Sequence, residues 1–411
     1  MKKEVILYFY LCLGIVVCSS CKKYPELASL KQPAYLRVFN DLNYVLGPAN
    51  STLPSNEITF LFDPVFDKAG LPASASIIGD YITLRDSFSA SYPANAGNIA
   101  VTNQTEWPGS VTTLTAPTIN GFDLSAWAQV SSGRHRIMLM GRPQTDTPFV
   151  NLPASGRNTI IADTTVELSA GDVYTLEAVL RDGATNATGA YLRAESFPKT
   201  PFTTSNNYLS FFDLTAANLN PNDGLTYYYN AGGGTYLPIT GTPYIAPLDL
   251  YYTVFTPVCA NASATGVISY SCAFTTPTAY QVYLRTLNTT FDTQAPYDSI
   301  PVPPLSQFLN PDSSFANLSS RPWVSIGVHE AQGTSSSINF GVDTLAWSKG
   351  ALEYNVGVEI PAFIYSQGLT IATSNGQSLA IYPSVNIVEI INNRPYVMQV
   401  HRTFDAPVIT N

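Results

Sequence analysis

Two strand-like segments far apart in this chain read as copies of one another. Ala34-Tyr35-Leu36-Arg37-Val38-Phe39 and Asn207-Tyr208-Leu209-Ser210-Phe211-Phe212 share a pattern and an aromatic end. At that offset Leu46 and Pro48 fall on Leu219 and Pro221, so turn chemistry follows both. Ile58-Thr59-Phe60-Leu61-Phe62-Asp63 then matches Leu225-Thr226-Tyr227-Tyr228-Tyr229-Asn230. Near the two ends, Val166-Glu167-Leu168, a turn and Tyr174–Val179 match Val388-Glu389-Ile390, a turn and Tyr396–Val400. Each pair of runs reads as a hairpin. His135–Leu139 and Tyr280–Leu284 read as middle strands, alternating in the period of two. Correspondences in one order predict a duplicated unit rather than chance likeness among strands.

Thirty prolines and twenty-six glycines are spread along the 411 residues, which excludes long helices; a short one is expected near residues 121–131. Only 12% of residues are charged, against about 25% in an average soluble protein. Thr and Tyr favour strands, and Asn, Ser, Gly and Pro favour turns. The strand–helix alternation of a parallel α/β fold is missing. The predicted fold is all-β, with two tandem immunoglobulin-like β-sandwich domains behind a cleaved lipoprotein signal. Domain 1 is expected over 33–198 and domain 2, with insertions, over 199–411. The boundary falls at Phe197-Pro198-Lys199-Thr200-Pro201, where two prolines interrupt pairing.

The first twenty residues read as an export signal. Lys2 and Lys3 precede the apolar run Val5–Val17, which is too short for a bilayer span of roughly 20 residues. Val17-Cys18-Ser19-Ser20-Cys21 resembles a lipobox, with Cys18 where an aliphatic residue is usual. Cleavage before Cys21, lipidation of Cys21 and a tether over 21–32 are expected. A membrane partner through this lipid needs more than one acyl chain for stable anchoring. An ordinary cleaved signal and an uncleaved anchor are the competing readings. Lys22 and Lys23 favour the outer membrane, with the chain facing either the periplasm or the cell surface.

Cys12 and Cys18 leave with the signal and Cys21 is the anchor, so Cys259 and Cys272 remain. An even pair in an exported chain predicts a disulfide; two buried thiols are the alternative. The formal net charge of −9 and the lack of a basic block exclude a nucleic-acid partner.

Tyr35-Leu36-Arg37-Val38-Phe39-Asn40 and the run Leu168-Ser169-Ala170-Gly171-Asp172-Val173-Tyr174-Thr175-Leu176 carry a family resemblance. They are similar to the opening "xLRVxN" strand and the closing "LxxGxxYTL" hairpin of a Bacteroidetes lipoprotein family carrying the domain of unknown function 4397. The second half departs from both, with Ser210 in place of Arg37 and Asn393 in place of Gly171. The resemblance implies a β-sandwich and no assigned activity. Asp163-Thr164-Thr165, Asp298-Ser299-Ile300 and Asp343-Thr344-Leu345 are similar to the O-glycosylation signal of exported Bacteroidetes proteins. Thr164, Ser299 and Thr344 are therefore candidate glycosylation sites.

The sequence nominates no catalytic residue, metal ligand or cofactor. His135, His329 and His401 are at no metal-ligand spacing, and no Gly-x-Ser-x-Gly elbow is present. Gly232-Gly233-Gly234 follows a strand-like run without a Lys or a helix after it, and reads as a turn. Asn220–Gly224 has calcium-loop residue types but no distal Glu ligand. Tyr227, Tyr229 and Tyr251 are candidates for a ligand platform, since exposed aromatic rings stack on sugars or anchor peptides; sheet packing is the competing use. The expectation is a lipid-anchored, non-enzymatic cell-envelope protein that binds a glycan, a peptide or an envelope protein. An adhesin or surface-fibre subunit and a carboxylate-dependent glycan-active enzyme are the alternatives.

Overall fold

The protein is all-β. A computed structural model describes residues 30–42, 57–85, 88–89, 105–109, 111, 113–143, 145–218, 227–230, 236–239, 248–263, 268–275, 282–287, 297–302, 304, 306, 309, 323–330, 363–366, 370–374, 379–391 and 394–401. The first half carries β1 (Ala34–Asp41), β2 (Ile58–Phe66), β3 (Pro72–Ile82), β4 (Phe88–Ser89) and β5 (Glu106–Trp107). It continues with β6 (Ala128–Val130), β7 (Gly133–Gly141), β8 (Ile160–Leu168), β9 (Val173–Asp182) and β10 (Ala187–Ala194). The second half carries β11 (Asn206–Asp213), β12 (Tyr227–Asn230), β13 (Tyr236–Ile239), β14 (Leu248–Ser263), β15 (Ile268–Thr275) and β16 (Val282–Leu287). It ends with β17 (Asp298–Pro301), β18 (Trp323–Glu330), β19 (Phe363–Ser366), β20 (Thr370–Ser374), β21 (Leu379–Ile391) and β22 (Arg394–His401). Helical structure among the described residues is slight and includes three single 3-10 turns. No helix among them is long and apolar enough to cross a membrane. Residues Gln32–Asn411 form one compact unit.

The strand order of the first half recurs in the second. One sheet runs β10-β9-β1-β5, with β6 also on β1; its counterpart runs β22-β21-β11-β17 and then takes β4 on its β22 edge. In each, the opening strand pairs parallel with a late one: β1 with β9, β11 with β21. The other sheet runs β3-β2-β7-β8; its counterpart is β15-β14-β18-β19, with β16 continuing β15 along β14. Registers agree as well. Leu36 faces Tyr174 and Leu209 faces Asn386, while Glu177 faces Tyr191 and Glu389 faces Tyr396. Both opening strands end in the same side-chain turn: Asn40 Oδ1 accepts from Leu42 N at 3.3 Å, and Asp213 Oδ1 from Thr215 N at 3.0 Å.

Several sequence expectations are corrected by these pairings. Val166–Leu168 and Tyr174–Val179 do not form a hairpin: β8 pairs with β7, whereas β9 pairs with β1 and β10. The chain instead crosses between sheets at Ser169–Asp172, with Gly171 at φ 80° and its N–H on Pro33 O at 2.8 Å. Apolar runs flanking a glycine turn look the same whether the strands pair or part. The true counterpart of Val388–Ile391 is thus Leu176–Val179, which aligns Glu389 with Glu177 rather than Glu167. β12 pairs with β13, and the place of β2 is held by β14. The counterpart of β7 is β18, not the 280–284 segment. Residues 121–131 hold turns and β6 instead of a helix.

The parallel pairing explains the burial. All eight residues of β1 are buried, as are the first eight of β9. One face presents Leu36, Val38, Leu176 and Ala178 to Phe60, Phe62, Ile137 and Leu139 across the first half's core. The opposite face, with Tyr35, Phe39, Val173 and Val179, shares a second core with Phe212, Val385, Ile387, Met398 and Val400. A sheet covered on both sides reads as near-continuous apolar sequence. Each large apolar side chain so buried contributes roughly 1.5–3 kcal/mol. The packing is tight at Trp107, which lies 5.1 Å from the Phe60 ring and against Gly79.

Candidate functional site in the seam between the two halves

Charged residues interrupt the apolar face that the first half turns toward the second. On β1 the odd-numbered residues face that way, so Arg37 and Asp41 join Tyr35 and Phe39 there. β9 adds Thr175 and Glu177, and β10 adds Tyr191 and Arg193. Arg85, after β3, is positioned by its N–H on Asn40 O at 3.1 Å. The second half supplies Glu389 from β21. Register places Ser210 at the position of Arg37 and Met398 at that of Arg193, so the arginines come from the first half alone.

These groups form a connected network. Arg37 Nε donates to Glu106 Oε2 at 2.7 Å, and its guanidinium lies over Phe39 at 4.6 Å and Trp127 at 5.2 Å. Arg85 meets Asp41 at 3.5 Å and pairs with Glu389, over the Phe39 ring at 3.9 Å. Arg193 reaches Glu177 at 3.1 Å and Glu195 at 3.0 Å, and also pairs with Glu389. Thr175 Oγ1 donates to Glu195 Oε1 at 2.6 Å. The side chains of Arg85, Asp41, Glu177 and Glu389 are fully buried.

Burial at this depth sets the protonation states. Burial raises the Glu177 carboxyl well above the usual carboxylate range; the charge of Glu389 adds to this, and Arg193 opposes it. Asp41 is likewise raised, to about 7, by burial set against Arg85. Burial would raise Glu389 too, but Arg193 and Arg85 outweigh it and hold that carboxyl at about 2.

A second polar cluster lies around His135. His135 Nδ1 is 2.7 Å from Asp63 Oδ2, the ring stacks on Phe62 at 4.4 Å, and Asp63 has φ 51°. Asp63 Oδ1 also accepts from Arg136 N, and Arg136 forks onto Asp163 at 2.8 and 2.7 Å. His135 Nε2 is buried and has no hydrogen-bond partner among the described residues. At the other end of β7, Arg142 pairs with Asp80, donates to Thr145 O at 2.8 Å and Thr147 O at 2.7 Å, and stacks 3.7 Å from Tyr81. It pins the segment after β7 over Leu61, Met138 and Met140.

Other residues singled out in the sequence are scattered. Tyr227 and Tyr229 lie in β12, and Tyr251 lies in β14, in a different sheet. Cys259 and Cys272 are backbone register partners on β14 and β15. Thr164 is half-buried in the middle of β8, opposite Ile137; Ser299 is exposed on β17, beside Asp298, which pairs with Arg285 at 2.6 Å. Cys21, the signal segment, the Asn220–Gly224 and Gly232–Gly234 segments and Thr344 lie outside the described residues. Among the described residues no group of three His, Cys, Asp or Glu side chains is placed to hold a metal ion.

Sequence reasoning did not find the seam. The available signal was a charge at the inward parity of an otherwise apolar strand, as at Glu177 in Val173-Tyr174-Thr175-Leu176-Glu177-Ala178-Val179. No family model matches the chain, and no curated protein matches it.

Proposed function

We propose that this is a lipid-anchored, non-enzymatic protein of the bacterial cell envelope, fixed to the outer membrane through Cys21. Its two halves are tandem immunoglobulin-like sandwiches of the kind implied by the resemblance to the domain-of-unknown-function 4397 lipoproteins. Together they act as a stiff stalk that presents a binding surface for a glycan, a peptide or another envelope protein. The observation that carries this reading is the filled seam. Ligand clefts form preferentially at domain interfaces, where opening and closing come naturally. Here that junction is occupied by buried ion pairs and apolar side chains, so the halves are joined rather than hinged.

Two experiments test it. Metabolic labelling with a fatty acid should mark the wild-type chain and not Cys21→Ser; an unlabelled wild type overturns the anchor. The purified chain should bind selectively on glycan and peptide arrays and leave every ligand intact. Hydrolase or lyase turnover on those panels overturns the non-enzymatic reading in favour of a carboxylate-dependent glycan-active enzyme.

A further inference from the structure

We propose that the seam is a proton-binding site, in which Glu177 is kept as a neutral carboxylic acid against the ionised Glu389, so that raising the pH weakens the contact between the two halves. The first argument is charge balance. Arg37, Arg85 and Arg193 share the seam with Asp41, Glu106, Glu177, Glu195 and Glu389, so carboxyls outnumber guanidiniums. Tyr191 on β10 and Tyr396 on β22 also face it, and burial raises the Tyr191 phenol above its usual value. An unbalanced anion in a dry interior takes up a proton instead of staying charged.

The second argument is geometric and selects the residue. The buried carboxyls of Glu177 and Glu389 converge on one guanidinium, that of Arg193. Two ionised carboxylates are both acceptors and cannot bond to one another; a single proton converts the repulsive contact into a charge-assisted O–H···O⁻ bond. Glu389 is paired with two guanidiniums, those of Arg85 and Arg193, and so keeps its charge. Glu177 has Arg193 alone, shared with Glu195 and Glu389, and so carries the proton. Register adds a reason for the meeting. Glu177 and Glu389 occupy the same position of the recurring sheet, and the two sheets pack on each other with those positions opposed.

The direction with pH follows. The Glu177 carboxyl is raised in the folded chain, so its contribution is full below its unfolded value and is lost as pH rises through the folded one. Asp41, raised to about 7, acts in the same direction.

The test is thermal unfolding of the full chain between about pH 6 and about pH 9, a window on the alkaline side of ordinary carboxyls. Glu177→Gln keeps the shape and donates an N–H to Glu389. At the lower pH its melting temperature should lie within about 2 °C of wild type. At the higher pH it should exceed wild type, flattening the pH dependence. Glu389→Gln removes the anion that pairs with Arg85 and Arg193 and should lower the melting temperature throughout. An E177Q protein that fails to fold, falls as far as E389Q at the lower pH, or keeps the full wild-type slope overturns the proposal. Infrared spectroscopy in heavy water gives a readout independent of stability. Wild type should show the carbonyl stretch of buried carboxylic acids at neutral pH, and E177Q should lose the part that Glu177 contributes, leaving that of Asp41. A wild-type spectrum without that band, or a band unchanged in E177Q, overturns the proposal.

Discussion

A single carboxylate on β21 decides how the two halves meet. Glu389 is the seam's anion from the second half, and it faces guanidiniums that would otherwise be buried with too few partners. Replacing Arg193 with Met, the residue at its counterpart position 398, would leave Glu177, Glu195 and Glu389 short of a cation. Breaking a buried pair from one side costs about 3–5 kcal/mol, so urea unfolding of Arg193→Met should show a loss of that size. Acid tests the other arm of the network. Glu389 is depressed to about 2, so its contribution is present above the unfolded value and is lost as pH falls toward about 2. Stability followed by tryptophan fluorescence should therefore decline below about pH 4.5, and Glu389→Gln should remove part of that decline. A packing prediction stands apart from charge. A Cβ at Gly79 would lie 2.7 Å from the Trp107 ring, and Gly79→Ala should cost about 1–3 kcal/mol in the same assay.

Among elements, the strands were legible and most of their partners were not, although the runs at 388–390 and 396–400 do pair as the expected hairpin. The runs at 34–39, 58–63, 174–179, 207–212 and 396–400 all became strands, because alternation and turn residues act locally. Sheet membership is a different matter. Val166–Leu168 and Tyr174–Val179 flank a turn in the way hairpin strands do, yet they enter different sheets, because β9 finds its parallel partner in β1. That choice depends on a segment more than a hundred residues away. The same holds for Cys259 and Cys272, an even pair in the sequence that the register of β14 and β15 sets directly opposite each other. The stretch of β14 that holds Cys259, Thr256–Ser263, pairs with β15 alone among the described residues, and two-strand ribbons are marginal. Peptide mapping of the chain isolated from the envelope without reductant should recover the two cysteines in one linked peptide. Reduction should destabilise the protein by about 3 kcal/mol on the chain-entropy estimate for so short a loop.

At the scale of the whole molecule, the two halves meet through a sheet that is buried on both faces. β4 crosses from the first half to pair with β22, and Gly183 N donates to Ala217 O at 2.7 Å. Such a junction predicts one cooperative unfolding transition. Calorimetry should show a single endotherm whose calorimetric and van't Hoff enthalpies agree; two resolved endotherms would mean that the halves unfold separately. From its sequence alone the chain was committed to β structure, to short strands between turns and to a pattern stated twice, since each of these follows from local propensity and side-chain period. Which strands pair, which β segment of the second half answers which of the first, and why Arg37, Glu177, Arg193 and Glu389 sit inside apolar strands were decided only by tertiary structure. A strand's own residues specify its two faces; what covers each face, and so whether a charge on it meets water or a partner, is settled by a second sheet distant in the chain.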